Sequence, residues 1–477
     1  MDEKFYNEIV DKYEENTSFY PSNILNECPK FRILVVGQTG SGKSTLCSKV
    51  FHVGKEDGKV GGPVDFGISK HKRGTEFHQV WKEITFPGQN EEIILHDSGG
   101  FEAGDVNGLE EIRKFIKSRL TKTTLAERLH CIWYCIPLTG HRHIQSAEKT
   151  FFNDFDLGDI PVVAVFTHFD VLENEQEFKL MKQHQRQHPG TVLPQDLQAR
   201  AHAYAVQEYD EIHRRNLQDI LGPHSGVEIQ RVAMPDDGYG AGGLLPTAQS
   251  GMIAAHVDTD ESPNAQGVNN LIRTTLEMLT REGLRRLWVS AQQQSADLKR
   301  KESIVIAMQH FKRVTITSSL PLIPFLGGGV FRSSFHEIFS DVSRQYGLID
   351  PWHVLRDTAT RKRIFGACLK LSAGGRIGVK AILAVNILGP LTAPIITASL
   401  LKMIVGIIMI HEELFWKQRE QNGLRLTEDV IEDTCRRFAE GRRRQRAAAH
   451  IDGSIGIENY RKEQYCRDVV TTALEAK

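Results

Sequence analysis

The chain has 477 residues, more than one compact domain ordinarily holds, so two units are expected. Its 59 lysines and arginines stand against 60 aspartates and glutamates, which removes any global attraction to nucleic acid, and no specific nucleic acid is expected as a partner. Seven cysteines without a Cys-x-x-Cys spacing exclude a disulfide or zinc framework and point to a reducing, cytoplasmic compartment. Residues 1–30 read as an acidic lead-in, one helix ending before Pro21 and a linker through Pro29, unlike a signal or transit peptide.

A strand is expected at 31–36. It runs into Gly37, Gln38, Thr39, Gly40, Ser41, Gly42, Lys43, Ser44 and Thr45, the spacing of a phosphate-binding P-loop. Glycines at 37, 40 and 42 let backbone N–H groups turn inward around an anion. Lys43 brings a positive charge to the β and γ phosphates, and Ser44 offers a hydroxyl to Mg²⁺. The helix from 43 to 51 points its positive end at the same place. A nucleoside triphosphate is the expected ligand.

Residues 54–75 hold six glycines and read as a rearranging switch segment. Thr75 is preferred over Ser69 as a Mg²⁺ ligand because a strand, expected at 75–86, begins beside it. The strand at 92–96 ends in Asp97, Ser98, Gly99 and Gly100. There the Asp97 carboxylate can hold a Mg²⁺ water and the Gly100 N–H can meet a γ-phosphate, although the same residues are ordinary turn formers. The strand at 129–136 places Cys131 and Cys135 on one buried face, as core packing. The strand at 162–166 ends in Thr167, His168, Phe169 and Asp170. A carboxylate at Asp170 accepts from the ring N–H and exocyclic amine of guanine, a donor pair that adenine lacks at that edge. Residues 173–219 are a charged excursion with helical spacing, read as lying on the surface. A strand at 227–233 carries Ala233 into the position of a second base-contacting loop, residues 236–267 are a long loop, and a helix at 268–278 closes the unit.

With these motifs in this order, residues 37–45, 75, 97–100 and 167–170 resemble the translation-factor-related GTPases, and among them the septin-like and immunity-associated-like G domains. The strand at 129–136 is similar to the fourth strand of septin-like domains and of fungal proteins described as G domain-containing, and that fungal likeness extends more loosely into the C-terminal half. The resemblance implies an α/β fold, a P-loop GTPase domain with a mostly parallel sheet over residues 31–287, and GTP or GDP with Mg²⁺ as bound groups. It also implies slow turnover, or a site completed by face-to-face pairing of two G domains in a homodimer. Two positions depart from the pattern. His168 stands where a lysine usually packs along the purine, and Phe101 stands where Ras-like enzymes place a water-orienting glutamine. Arg73, Glu102 and Arg142 are candidates to complete the chemistry, with solvated surface charge as the commoner role for each; the catalytic residue itself is not assigned.

Residues 288–477 are expected to form an all-helical C-terminal domain. A helical stretch over 291–312 leads to a proline and glycine hinge at 320–329. No residue between Lys380 and Lys402 is charged, and the apolar segment 381–410 is long enough for one membrane span. Gly389, Pro390 and Pro394 interrupt it, so two readings stay open: a buried helical hairpin, or association with an intracellular membrane. Residues 412–440 are amphipathic. Four arginines within 442–446 fit a solvated helix face or an anionic lipid surface. The sequence as a whole reads as a nucleotide-controlled switch with slow GTP hydrolysis. Its alternative is a membrane-associated scaffold in which bound GTP stabilises an interface.

Overall fold

The computed structural model describes residues 28–51, 53, 80–87, 90–99, 106–138, 146–222, 226–233, 263–318, 327–350, 352–372, 393–421, 424–456 and 458–475. The chain divides into two compact units that meet in sequence between Ser295 and Ala296.

The unit Ile24–Ser295 is α/β. Its six strands are β1 (Phe31–Gly37), β2 (Ile84–Phe86), β3 (Asn90–Asp97), β4 (Cys131–Pro137), β5 (Val162–Thr167) and β6 (Val227–Arg231), in the spatial order β2-β3-β1-β4-β5-β6. All neighbours run parallel except β2, which is antiparallel to β3 at the edge. Continuous apolar runs such as those of β1 and β5 form strands covered on both faces, and every residue of both is buried. The helices are α1 (Lys43–Phe51), α2 (Val106–Leu120), α3 (Ser146–Asp154), α4 (Phe169–Gln187), α5 (Leu197–Glu208), α6 (Arg215–Leu221), α7 (Pro263–Met278) and α8 (Glu282–Ala291), with a π turn over Tyr209–Arg214 between α5 and α6. Alternate strand residues feed two cores. Leu34, Val36, Ile132, Tyr134, Ala164 and Phe166 pack on one face. On the other, Phe31, Phe51, Trp133 and Trp288 form a ring cluster with centroids 5.0–5.8 Å apart.

The structure differs from the sequence expectations in three places here. The strand expected over 75–86 is, within the described residues, only Ile84–Phe86, preceded by a turn at 80–82. The Val80 carbonyl is engaged by His96 Nδ1 at 2.8 Å, which takes it out of any ladder. The charged excursion is not confined to the surface. Ala205, Tyr209 and Leu217, spaced among its charges, join the sheet core, while Phe178, Tyr204 and Ile212 face outward. The boundary drawn at residue 287 falls inside α8, and the compact unit continues to Ser295.

The second unit is all-helical: α9 (Ala296–Ser318), α10 (Gly327–Tyr346), α11 (Thr358–Ser372), α12 (Ala393–Glu420), α13 (Glu428–Glu440), α14 (Arg442–Ser454) and α15 (Glu463–Glu475). Among the described residues, helix α12 packs against each of the other six. Leu400, Leu401, Met403, Ile404, Val405, Ile407, Ile408 and Ile410 are buried around its whole circumference, the pattern of a central core helix. Among the described residues no helix is long and apolar enough to cross a membrane. The turn expected near Gly389 and Pro390 lies outside the described residues.

Charge is built into this core. Lys402 is buried and ion-pairs with Asp452. Glu412, also buried, takes Arg300 at 3.1 Å on one oxygen and Arg443 at 3.1 Å on the other. Arg443 also donates to the Leu474 carbonyl at 2.6 Å. The arginine cluster at 442–446 is therefore divided, with Arg443 tied to Glu412 and the Leu474 carbonyl and Arg442 and Arg446 exposed.

Candidate functional site

β1, β3 and β5 are parallel, so Gly37, Asp97 and Thr167 lie at one edge of the sheet. β1 sits where the strand order reverses, with β3 on one side and β4 on the other. A crevice outside the carboxyl ends of the strands is expected at such a point. Register places Val35 beside Asp97 and Gly37 beside Cys135.

The loop between β1 and α1 requires glycine. At Gly37, with φ +153°, a Cβ would lie 2.6 Å from both the Cys135 carbonyl oxygen and Ser41 Oγ. Gly40 and Gly42 both have φ +77°, and a Cβ on Gly42 would lie 3.1 Å from His168 Cε1. Ser41 N–H donates to the Gln38 carbonyl at 3.1 Å, and the first helical bond runs from Leu46 N–H to the Gly42 carbonyl at 2.9 Å. The Lys43 ammonium is 7% exposed and donates to the Gly37 and Gln38 carbonyls at 2.9 and 3.0 Å, which leaves its third N–H for a ligand. Thr39 and Gly40 are exposed at the mouth, and Ser44 and Thr45 are half-buried at the start of α1. Ser41 Oγ is fully buried beside the loop with no hydrogen-bond partner.

The segment after β5 is tied to this loop. Thr167 Oγ1 donates to the Ser41 carbonyl at 2.8 Å, so His168 Nδ1, 3.1 Å from that hydroxyl, is the protonated ring nitrogen donating to it. His168 adopts the left-handed conformation, φ 60°, and its ring lies against Gly42. Asp170 follows in the first turn of α4, half-buried, where the helix dipole favours a carboxylate. The Phe169 N–H donates to the Val232 carbonyl at 3.3 Å, which brings buried Ala233 to the same corner.

Asp97 is 9% exposed and its Oδ1 accepts the Gly99 N–H at 3.1 Å. Ser98 N–H donates to the Val35 carbonyl at 3.1 Å, which pins the turn to β1. Thr75, Gly100, Phe101, Arg73, Glu102 and Arg142 lie outside the described residues. No group of three His, Cys, Asp or Glu among the described residues is arranged to hold a metal. Serine hydroxyls, waters and phosphates, the expected Mg²⁺ donors here, are of a different kind. The glycine cradle, the buried ammonium and the unpaired Ser41 hydroxyl fit a bound polyphosphate.

Two thiols flank the loop and are chemically silent. Burial pushes Cys47 well above its ordinary pKa and Cys135 up to about 12, so neither is a thiolate. Sequence reasoning passed over Glu148. This carboxylate, 3% exposed on α3, accepts from Gln38 Nε2 at 3.3 Å and anchors the side chain of the second loop residue. No local motif marks it, because the contact spans 110 positions.

Two comparisons bear on these units. The family described as "Domain of unknown function (DUF8505)" matches residues 325–477, within the helical unit. Septin-9 of Rattus norvegicus is 30% identical over 128 residues, a stretch covering 24% of this chain and 22% of that protein. The chain thus spans about a fifth of the length of the curated relative it matches.

Proposed function

We propose that the chain is a septin-like guanine-nucleotide-binding protein, a switch with slow GTP hydrolysis whose P-loop is residues 37–45. The observation that carries this reading is the bond from Thr167 Oγ1 to the Ser41 carbonyl. It fastens the segment bearing Asp170 to the loop bearing Lys43, so one ligand with a base and a phosphate chain can span both. The partial similarity to Septin-9 supports it. Loop amides and Lys43 would hold the phosphates, Ser44, Asp97 and Thr75 would hold Mg²⁺ directly or through water, and Asp170 with Ala233 would read the base. Mg²⁺ would neutralise charge on the β and γ phosphates. The seven cysteines are unpaired, in keeping with a cytoplasmic setting.

Calorimetric titration tests the reading. GTP should bind in strong preference to ATP. Asp170→Asn should move the preference toward xanthosine triphosphate, whose base presents a carbonyl in place of the guanine amine. Equal competition by ATP and GTP in the parent protein sinks the base assignment. Single-turnover hydrolysis by dilute protein should run at the unassisted Ras-like rate, ~10⁻⁴ to 10⁻³ s⁻¹. Turnover per chain that rises with protein concentration would show that pairing completes the site.

A further inference from the structure

The last turn of any α-helix leaves carbonyl groups without intrahelical partners. In α1 three consecutive ones are taken by groups that lie far away in sequence. The Lys49 carbonyl accepts from Gln294 Nε2, the Val50 carbonyl from the Gln293 N–H at 2.8 Å, and the Phe51 carbonyl from Asn90 Nδ2 at 3.2 Å. Asn90 Nδ2 also donates to the Ala291 carbonyl at 2.6 Å, so one buried amide holds both the end of α1 and the end of α8.

The capping turn is itself built to hold one shape. Gln292 is fully buried. Its Oε1 accepts the N–H groups of Gln294 and Ser295 at 2.9 and 2.8 Å, and its Nε2 donates to the Val289 and Ser295 carbonyls. A satisfied buried network of this kind is rigid and costly to break partway. Trp288, one turn earlier in α8, stacks edge-on against Phe51 and donates its indole N–H to the Ile272 carbonyl at 3.0 Å.

We propose that residues 291–295 are a relay for nucleotide state. They grip the carboxyl end of the helix whose amino end meets the phosphates, and the helical unit begins at the next residue, Ala296. The inference rests on the nucleotide reading of the glycine loop. Helix α1 has nine residues, so about 13 Å separates its two ends, and a helix of that length moves as a rigid strut. A shift at Lys43 and Ser44 when phosphate is gained or lost changes the geometry of three directional hydrogen bonds at Lys49, Val50 and Phe51. Those bonds either hold the turn or release it, which is the two-state element that a switch requires. The bonds described run to the carboxyl end of α1, not to the glycine loop or Asp170. Their role is positioning.

Amide hydrogen exchange on the full chain, with and without added GDP or GTP, tests the relay. Nucleotide should slow exchange over residues 37–46, and should also slow the Gln293 amide and the amides of 296–311 by about tenfold. Slowing at 37–46 with the Gln293 amide and 296–311 unchanged overturns the relay and leaves the nucleotide reading standing. No slowing at 37–46 removes the nucleotide reading and the relay with it. A second arm uses no nucleotide: Gln294→Ala should speed exchange at the Leu46 amide, at the opposite end of α1, by several-fold. An unchanged Leu46 amide overturns the relay, whatever nucleotide does.

Discussion

In the α/β unit, the polar groups of the candidate site are gathered at the carboxyl ends of strands; in the helical unit, Glu412 and its arginines form a polar cluster set against the core. Lys43 has a donor to spare and Ser41 Oγ has no partner, whereas Glu412 has both oxygens engaged by Arg300 and Arg443. Polar satisfaction is nearly obligatory in a folded interior. A cluster left short of partners at a glycine cradle is therefore a different kind of object from a cluster that closes on itself. The first keeps polar atoms available to a ligand, and the second ties three of the described helices together.

The largest effect should come from breaking the closed cluster. Glu412→Ala takes the shared carboxylate from Arg300 and Arg443. Removing one partner of a fully buried pair costs about 3–5 kcal/mol, and because Arg300 keeps Asp297 and the Arg443 side chain is 40% exposed, the loss here should sit at about 3 kcal/mol. Chemical denaturation should show the helical unit unfolding first. Glu412→Gln keeps the shape and one acceptor oxygen, while its amide N–H₂ meets the other guanidinium donor to donor, so it should recover only part of the loss. An unshifted midpoint for Glu412→Ala would mean that the network is ornamental.

The matching change in the other unit should do the reverse. Lys43→Ala loses the bonds to the Gly37 and Gln38 carbonyls but also relieves a buried cation at the amino end of a helix, and with these two effects opposed thermal stability should move by no more than about 1 kcal/mol. Triphosphate binding should disappear from calorimetry, since a charge-assisted contact contributes about 1.5–3 kcal/mol before the loop itself reorganises. If Lys43→Ala unfolds the protein while leaving affinity intact, the contrast between the two units collapses.

Gly37→Ala lies between these. The new Cβ would meet the Cys135 carbonyl oxygen at 2.6 Å, and that atom belongs to a paired strand and cannot swing aside. Overpacking of this kind costs about 1–3 kcal/mol, and the same displacement should distort the loop. Melting temperature and GTP affinity should fall together, unlike the Lys43→Ala result.

Legibility in the sequence follows the same divide. The glycine loop, Asp97, Thr167 and Asp170 stand out as candidates because each motif is local and sits at the end of an apolar strand. What places them at one end of the sheet is the parallel direction of β1, β3 and β5, which the alternation of strands and helices in the sequence predicts; the order of the strands is seen only in the structure. The caps on α1 could not be found, since Asn90, Gln293 and Gln294 carry no pattern and act on carbonyls as far as 245 positions away. The segment 381–410 was ambiguous for a physical reason. A helix apolar all round looks the same whether its surroundings are lipid or six other helices. Lys402 flanked the uncharged run and read as a boundary, yet in the structure it is a buried residue paired with Asp452. The insertion after β5 misled because its charges outnumber the few residues, Ala205, Tyr209 and Leu217, that join the sheet core.

The smallest expected effect is in pH dependence, where two histidines of the helical core pull in opposite directions. His310 is 5% exposed, with Nδ1 3.0 Å from Glu337 and Nε2 2.8 Å from Asp341. Burial lowers its pKa, but hydrogen bonds and charge from Asp341 and Glu337 outweigh that and raise it above the ordinary value. A raised folded pKa means that stabilisation is fully present below the unfolded value of about 6.5 and is lost as pH climbs through the folded pKa. His411 is the opposite case. Burial lowers it to about 4; its Nδ1–H donates to the Ile407 carbonyl and its Nε2 accepts from Ser343 Oγ at 2.7 Å. Its stabilisation is present above about 6.5 and is lost as pH falls toward 4. The midpoint difference between the parent and His310→Gln should therefore be greatest below about pH 6 and should shrink on the alkaline side. For His411→Gln the difference should grow with rising pH and shrink in acid. Parallel pH profiles for the two variants would show that neither imidazole titrates in the way its partners dictate.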